Sequence, residues 1–62
     1  MIKEFDHVRI KSSGVTGIVV DISQTTGNII VESDEKGVPG GWGESDSWKL
    51  FDCVESDLEE AD

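Results

Sequence analysis

The run HVRIKSSGVTGIVVDIS, residues 7–23, constrains the fold more than any other feature of the chain. Val8 and Ile10 alternate with His7, Arg9 and Lys11, the period of a strand with one buried face. Ser12, Ser13 and Gly14 break the pattern, and a second run, TGIVVDIS, begins at Thr16. Its β-branched residues at 18, 19, 20 and 22 favour a strand, because a branched Cβ is crowded by a helical turn. Ile18, Val20 and Ile22 share one face, with Val19 and Asp21 on the other. Apolar residues on both sides point to a strand covered twice over, or bent by a bulge near Gly17. Gly14 and Gly17 then serve as the reversal and the bend.

The rest of the chain continues in kind. QTTGN, residues 24–28, reads as a hairpin turn in which Gly27 and Asn28 supply positive φ. NIIVES reads as the returning strand. Residues 34–47, DEKGVPGGWGESDS, hold four of the seven glycines and the only proline, so a long irregular connection is expected there. WKLF resumes an extended segment, and after Asp52 the pair Cys53–Val54 makes a last short strand. ESDLEEAD closes the chain with one helical turn, Ser56 as N-cap and Glu59 completing a capping box. Leu58 is its one large apolar residue and is placed as a plug over an open end. The ordered core is expected over about residues 3–58, with the acids at 59–62 fraying.

These elements give an all-β class: one domain over residues 1–62, five short strands and one terminal helical turn. A strongly bent sheet that closes on itself is the arrangement that hides its edges. At 62 residues the core is thin, since a chain of this size buries only about 60% of its unfolded surface. Cys53 is the single cysteine, so no intrachain disulfide reinforces it. A lone cysteine suits a reducing compartment, and no stretch approaches the length of a membrane span. Together these favour a soluble, cytoplasmic protein.

Charge is distributed unevenly. Through Val31, Lys3, Arg9 and Lys11 balance Glu4, Asp6 and Asp21. From Glu32 onward, acids at 32, 34, 35, 44, 46, 52, 55, 57, 59, 60 and 62 face only Lys36 and Lys49. The whole net charge of −9 therefore lies in the second half. Such a field solubilises the chain and repels polyanions, nucleic acid included.

The pattern DHVRIK, GVTGIVVDI and NIIVE resembles the opening of small SH3-like barrels, especially those of the KOW type, a likeness that covers residues 5–33. VESDLEE, residues 54–60, resembles the last strand and single helical turn of many bacterial and phage-borne small barrels. The resemblance implies a five-stranded SH3-like barrel. KOW domains bind RNA or sit on transcription and ribosomal proteins through basic loops, whereas this chain has five basic residues in all. Peptide-binding SH3 domains use a tyrosine-lined groove, and this chain has no tyrosine.

Candidate sites follow from these features. Trp42 and Trp48 flank the acidic GESDS segment. In a thin core tryptophans supply burial area, which has Trp48 packed inside and Trp42 covering the edge of its loop. The functional alternative leaves Trp42 exposed beside Asp34, Glu35, Glu44 and Asp46, able to hold a basic or proline-containing peptide by cation–π contact and ion pairing. Lys3, Arg9 and Lys11, with His7, form a faint basic stripe, too few cations to hold nucleic acid at physiological salt. The pairing of first and last strands in SH3-like barrels has His7 and Cys53 approaching each other, the minimum for a thiol nucleophile, but no third orienting group is evident. The carboxylates at 34, 35, 44 and 46 lack the spacing of a calcium loop, and GVPGGWG lacks the lysine of a phosphate-binding loop. No cofactor or metal is expected.

The reading is a non-catalytic interaction or accessory module, monomeric or weakly self-associating, whose partner is a basic protein or peptide. The alternative is a KOW-like nucleic-acid or ribosome- and transcription-associated domain using Arg9, Lys11 and Lys3.

Overall fold

A computed structural model describes residues 2–61. Five strands form one antiparallel sheet: β1 (His7–Ile10), β2 (Thr16–Ile22), β3 (Ile29–Lys36), β4 (Trp48–Cys53) and β5 (Leu58–Glu60). Their order across the sheet is β4-β3-β2-β1-β5. A single 3-10 turn, Glu55–Asp57, joins β4 to β5. The all-β expectation holds, and no helix among the described residues is long and apolar enough to cross a membrane.

One apolar cluster lies on the inner face. Val8 and Ile10 of β1, Val19 of β2, Ile29 and Val31 of β3, Cys53 of β4 and Leu58 of β5 are all buried. Every strand thus contributes to the same cluster, and Ile2, Val15, Ile22 and Phe51 pack around it.

Strand β2 departs from the simple alternation. Val19 is fully buried and Val20 is exposed, while Ile22, expected on the face of Val20, packs against the core with Val19. The ladder with β3 pairs Val19 with Val31 and then Asp21 with Ile30, so Val20 is the extra residue of a bulge. Inserting one residue restores the inward direction at Ile22, three positions after Val19. The bulge therefore sits at Val20 rather than near Gly17. Gly17 matters for another reason: a Cβ there would lie 2.8 Å from the Glu32 carbonyl carbon and closer still to its oxygen. Only a residue without a side chain lets β2 cross β3 that closely.

Strand β3 runs three residues further than expected, through Asp34, Glu35 and Lys36. A second irregularity in its ladder with β4 falls between Glu32 and Lys36. There the buried Ser33 hydroxyl accepts from the Lys49 amide at 3.0 Å and donates to the Glu35 carbonyl at 2.8 Å, replacing lost ladder bonds. In the 23–28 turn only Gly27 takes positive φ, and Asn28 does not. The amide of Gly27 donates to the Ser23 carbonyl, and the amide of Ser23 donates to the Asn28 carbonyl. This is a longer hairpin loop than a two-residue turn.

The C-terminus is also rearranged. The last strand is Leu58–Glu60, not Cys53–Val54, and it pairs with β1 through Val8–Glu60, Arg9–Glu59 and Ile10–Leu58. The terminal helical turn is the short 3-10 segment, capped at Val54 without a side-chain bond, so Ser56 is not an N-cap. Glu59 and Glu60 are strand residues, and Ala61 donates to the His7 carbonyl. Residues 59–61 are thus hydrogen-bonded or paired to β1. Asp62, the last acid of that tail, lies outside the described residues.

Candidate functional site

Trp42 is held out from the sheet by its own backbone. Its amide donates to the Leu50 carbonyl at 2.7 Å, and the Leu50 amide returns a bond to the Trp42 carbonyl at 3.0 Å. Residue 42 thereby adds one rung beyond β4. The surrounding loop is fastened at further points. Gly37 donates to the Ser47 carbonyl, the Lys49 ammonium to the Gly40 carbonyl, and the Ser47 hydroxyl to the Glu44 carbonyl. Gly41 lies so close to β4 that a Cβ would sit 2.9 Å from the Leu50 carbonyl oxygen. A loop expected to be irregular is thus irregular in shape and fixed in place.

Trp42 itself remains 68% exposed. Beneath it runs a shallow cleft of ≈ 270 Å³, lined by Ile30, Trp42, Leu50, Phe51 and Asp52. Apart from the Asp52 carboxylate, the lining side chains are apolar. Leu50 and Ile30 are outward-facing members of β4 and β3, whereas Phe51 belongs to the inner face and reaches the cleft from the sheet edge. Sequence reasoning missed Ile30 and Leu50 as surface residues. The signal was present in the doubled isoleucine at 29–30, since only one of two neighbours on a strand faces inward.

Trp48 is 51% exposed and so does not pack inside. Its ring lies under the Lys36 ammonium, 4.4 Å from the centroid, in an internal cation–π contact. Phe5 is a third exposed aromatic and has φ of 70°, the one positive value outside glycine among the described residues.

The acidic surround expected for Trp42 is only partly assembled. Glu44 and Asp46 stay on its loop and are exposed. Asp34 and Glu35 belong to β3 instead. Asp34 turns to His7, whose Nε2 lies 2.6 Å from its Oδ2. That hydrogen bond, opposed by modest desolvation, holds the Asp34 carboxyl below its ordinary range. Glu35 faces a different cleft, beside Val38, Pro39 and the turn at 13–16.

The basic stripe is likewise engaged in part. Arg9 Nε donates to Glu59 Oε2 at 2.6 Å across β1 and β5. The Lys11 ammonium bonds the Ser56 carbonyl, and Lys3 precedes β1 altogether. His7 and Cys53 do not form a pair: the ladder places Cys53 opposite Ile29, and the His7 ring bonds Asp34. Cys53 is buried in the core, and desolvation, followed by the charges of Asp57 and Asp52, pushes its thiol up.

Compared with protein-family models, with curated proteins and with solved structures, the chain matches none of them.

Proposed function

We propose that the chain is a non-catalytic interaction module of the SH3-like barrel kind, which binds a protein or peptide of basic character through Trp42. The observation that carries this is the exposed Trp42 ring held on a doubly bonded backbone above an apolar cleft. A large aromatic surface already fixed in orientation loses little entropy on binding, and such residues dominate interface energetics. The net charge of −9 selects basic partners and repels nucleic acid, membranes of anionic lipid and further copies of the chain. The engagement of Arg9 with Glu59 and of Lys11 with a backbone carbonyl further weakens the nucleic-acid alternative. Barrel character is supported by the core, because one sheet brings residues of both edge strands, Cys53 and Leu58, into a single cluster by curling. A cytoplasmic setting accords with the free, buried Cys53.

The test compares the wild-type chain with Trp42→Ala in affinity capture from lysate and in thermal unfolding. The reading expects loss of the captured protein at unchanged stability, since an exposed ring contributes little to the core. Capture that survives the substitution overturns it.

A further inference from the structure

The outer face of β2, β3 and β4 bears apolar and acidic side chains in a checkerboard. Strand register places Asp21, Ile30 and Asp52 side by side in one row. The next row runs Ile18, Glu32 and Leu50, continued by Trp42 through its bridge to Leu50. Ile18, Ile30 and Leu50 thus each have a carboxylate beside them at cross-strand distance, about 5 Å, whereas Trp42 neighbours Leu50. Asp21, Glu32 and Asp52 have no cation paired with them among the described residues. The two basic side chains that β1 adds to this face are engaged elsewhere, His7 with Asp34 and Arg9 with Glu59.

We infer that this face, extending the Trp42 site, docks a cationic amphipathic segment of a partner protein: a large apolar side chain over Ile30 and Leu50, with basic side chains reaching Asp21 and Asp52 on either side. The inference rests on the interaction reading above and adds to it the partner's pattern. Exposed apolar surface drives association, and the unpaired carboxylates decide which apolar partner is admitted. A second copy of this chain would set like charges against one another, and nucleic acid or anionic lipid would do the same. Asp21 and Asp52 stand two strand spacings apart, about 10 Å. Basic residues at i and i+7 of a helix are separated by about 10.5 Å, with i+3 and i+4 between them on the same side. The partner pattern is therefore Lys or Arg at i and i+7 with leucine-like residues at i+3 and i+4.

The experiment uses the full chain carrying Trp48→Phe, so that Trp42 alone reports, and a short synthetic helical peptide of that pattern. Its control is a peptide of identical composition with the spacing scrambled, and calorimetry supplies the affinities. The expected results are a blue shift of Trp42 emission, binding that weakens with added salt, and poorer binding of the scrambled peptide. Asp21→Asn with Asp52→Asn should weaken binding at least about tenfold while leaving the melting curve in place. Equal affinity of the double variant, or of the scrambled peptide, overturns the inference. If Trp42→Ala abolishes peptide binding while the double variant keeps it, the interaction reading stands and this one falls. If no basic peptide binds at all, both fall. Self-association that buries Ile30 makes a second copy the occupant and overturns it as well.

Discussion

His7 and Asp34 join β1 to β3 across the whole width of β2, with Nε2 and Oδ2 2.6 Å apart. Both side chains are about a third exposed or more, so the pair contributes modestly, on the order of 0.5 kcal/mol. Its pH signature has a definite sign. Asp34 titrates below its ordinary 3.8 in the folded chain, chiefly through the bond to His7. The contribution is therefore complete above that value and is lost as pH falls through and below it. Asp34→Asn should lower the urea midpoint at neutral pH, and the gap from wild type should close in acid. A gap of constant size from neutral to acid pH would show that the carboxylate's charge plays no part.

Gly17 and Gly27 separate two reasons for keeping a glycine. Gly27 has φ of 78° and open space where a Cβ would stand, so alanine there meets backbone strain alone. Gly27→Ala is expected to cost about 1 kcal/mol. At Gly17 the Cβ would collide with the Glu32 carbonyl, inside a ladder whose strands cannot part without losing bonds. Gly17→Ala is expected to cost about 3 kcal/mol or more, a large share of the stability of so small a domain. Equilibrium urea unfolding checks both, and a smaller loss at 17 than at 27 would contradict the close packing of β2 on β3.

The closing strand makes a third test. Leu58 is buried in the core although it stands among acids, and β5 pairs with β1 over residues 58–60. Leu58→Ala is expected to cost about 3 kcal/mol by circular dichroism in urea, whereas Glu60→Gln should stay within about 0.5 kcal/mol. A frayed C-terminus would instead leave both substitutions nearly silent.

Much of this architecture is legible in the chain, for reasons that also explain the failures. Period-two alternation marks Val8 and Ile10 as buried, and β-branched runs mark β2 and β3, because local sterics decide those features. The facing of Val19 is not legible: a bulge at the next residue reverses the alternation, and nothing in VVD announces which residue is extra. Asp34 and Glu35 read as loop because charged residues seldom extend a strand, yet Ser33 bonds carry β3 through them. Glu59 reads as tail because the partner that orders it, Arg9, is fifty residues distant. Trp42 stands out in the sequence as an aromatic on a glycine-rich loop, and it is exposed. Trp48 does not sit where its sequence position suggests, because pairing with Lys36 offers it an alternative to burial. The doubled isoleucine marks Ile30 as outward-facing, but its meeting with Leu50 in one cleft emerges only once β3 and β4 are in register.

Cys53 provides the last prediction. The thiol belongs to the buried apolar cluster, at the end of β4 opposite Ile29. Loss of hydration disfavours the thiolate first, and the negative charges of Asp57 and Asp52 disfavour it further, so its pKa lies above the ordinary thiol value. Only the thiolate attacks a disulfide reagent, and a reagent must also reach it. Labelling of the folded chain at neutral pH should therefore be slow and limited by opening, while the urea-unfolded chain reacts at once. Substitutions that destabilise the fold, Leu58→Ala among them, should accelerate labelling in step with their loss of stability. Rapid labelling of the intact fold, unaffected by Leu58→Ala, would instead place the sulfur at an accessible, activated site and reopen a catalytic reading of the chain.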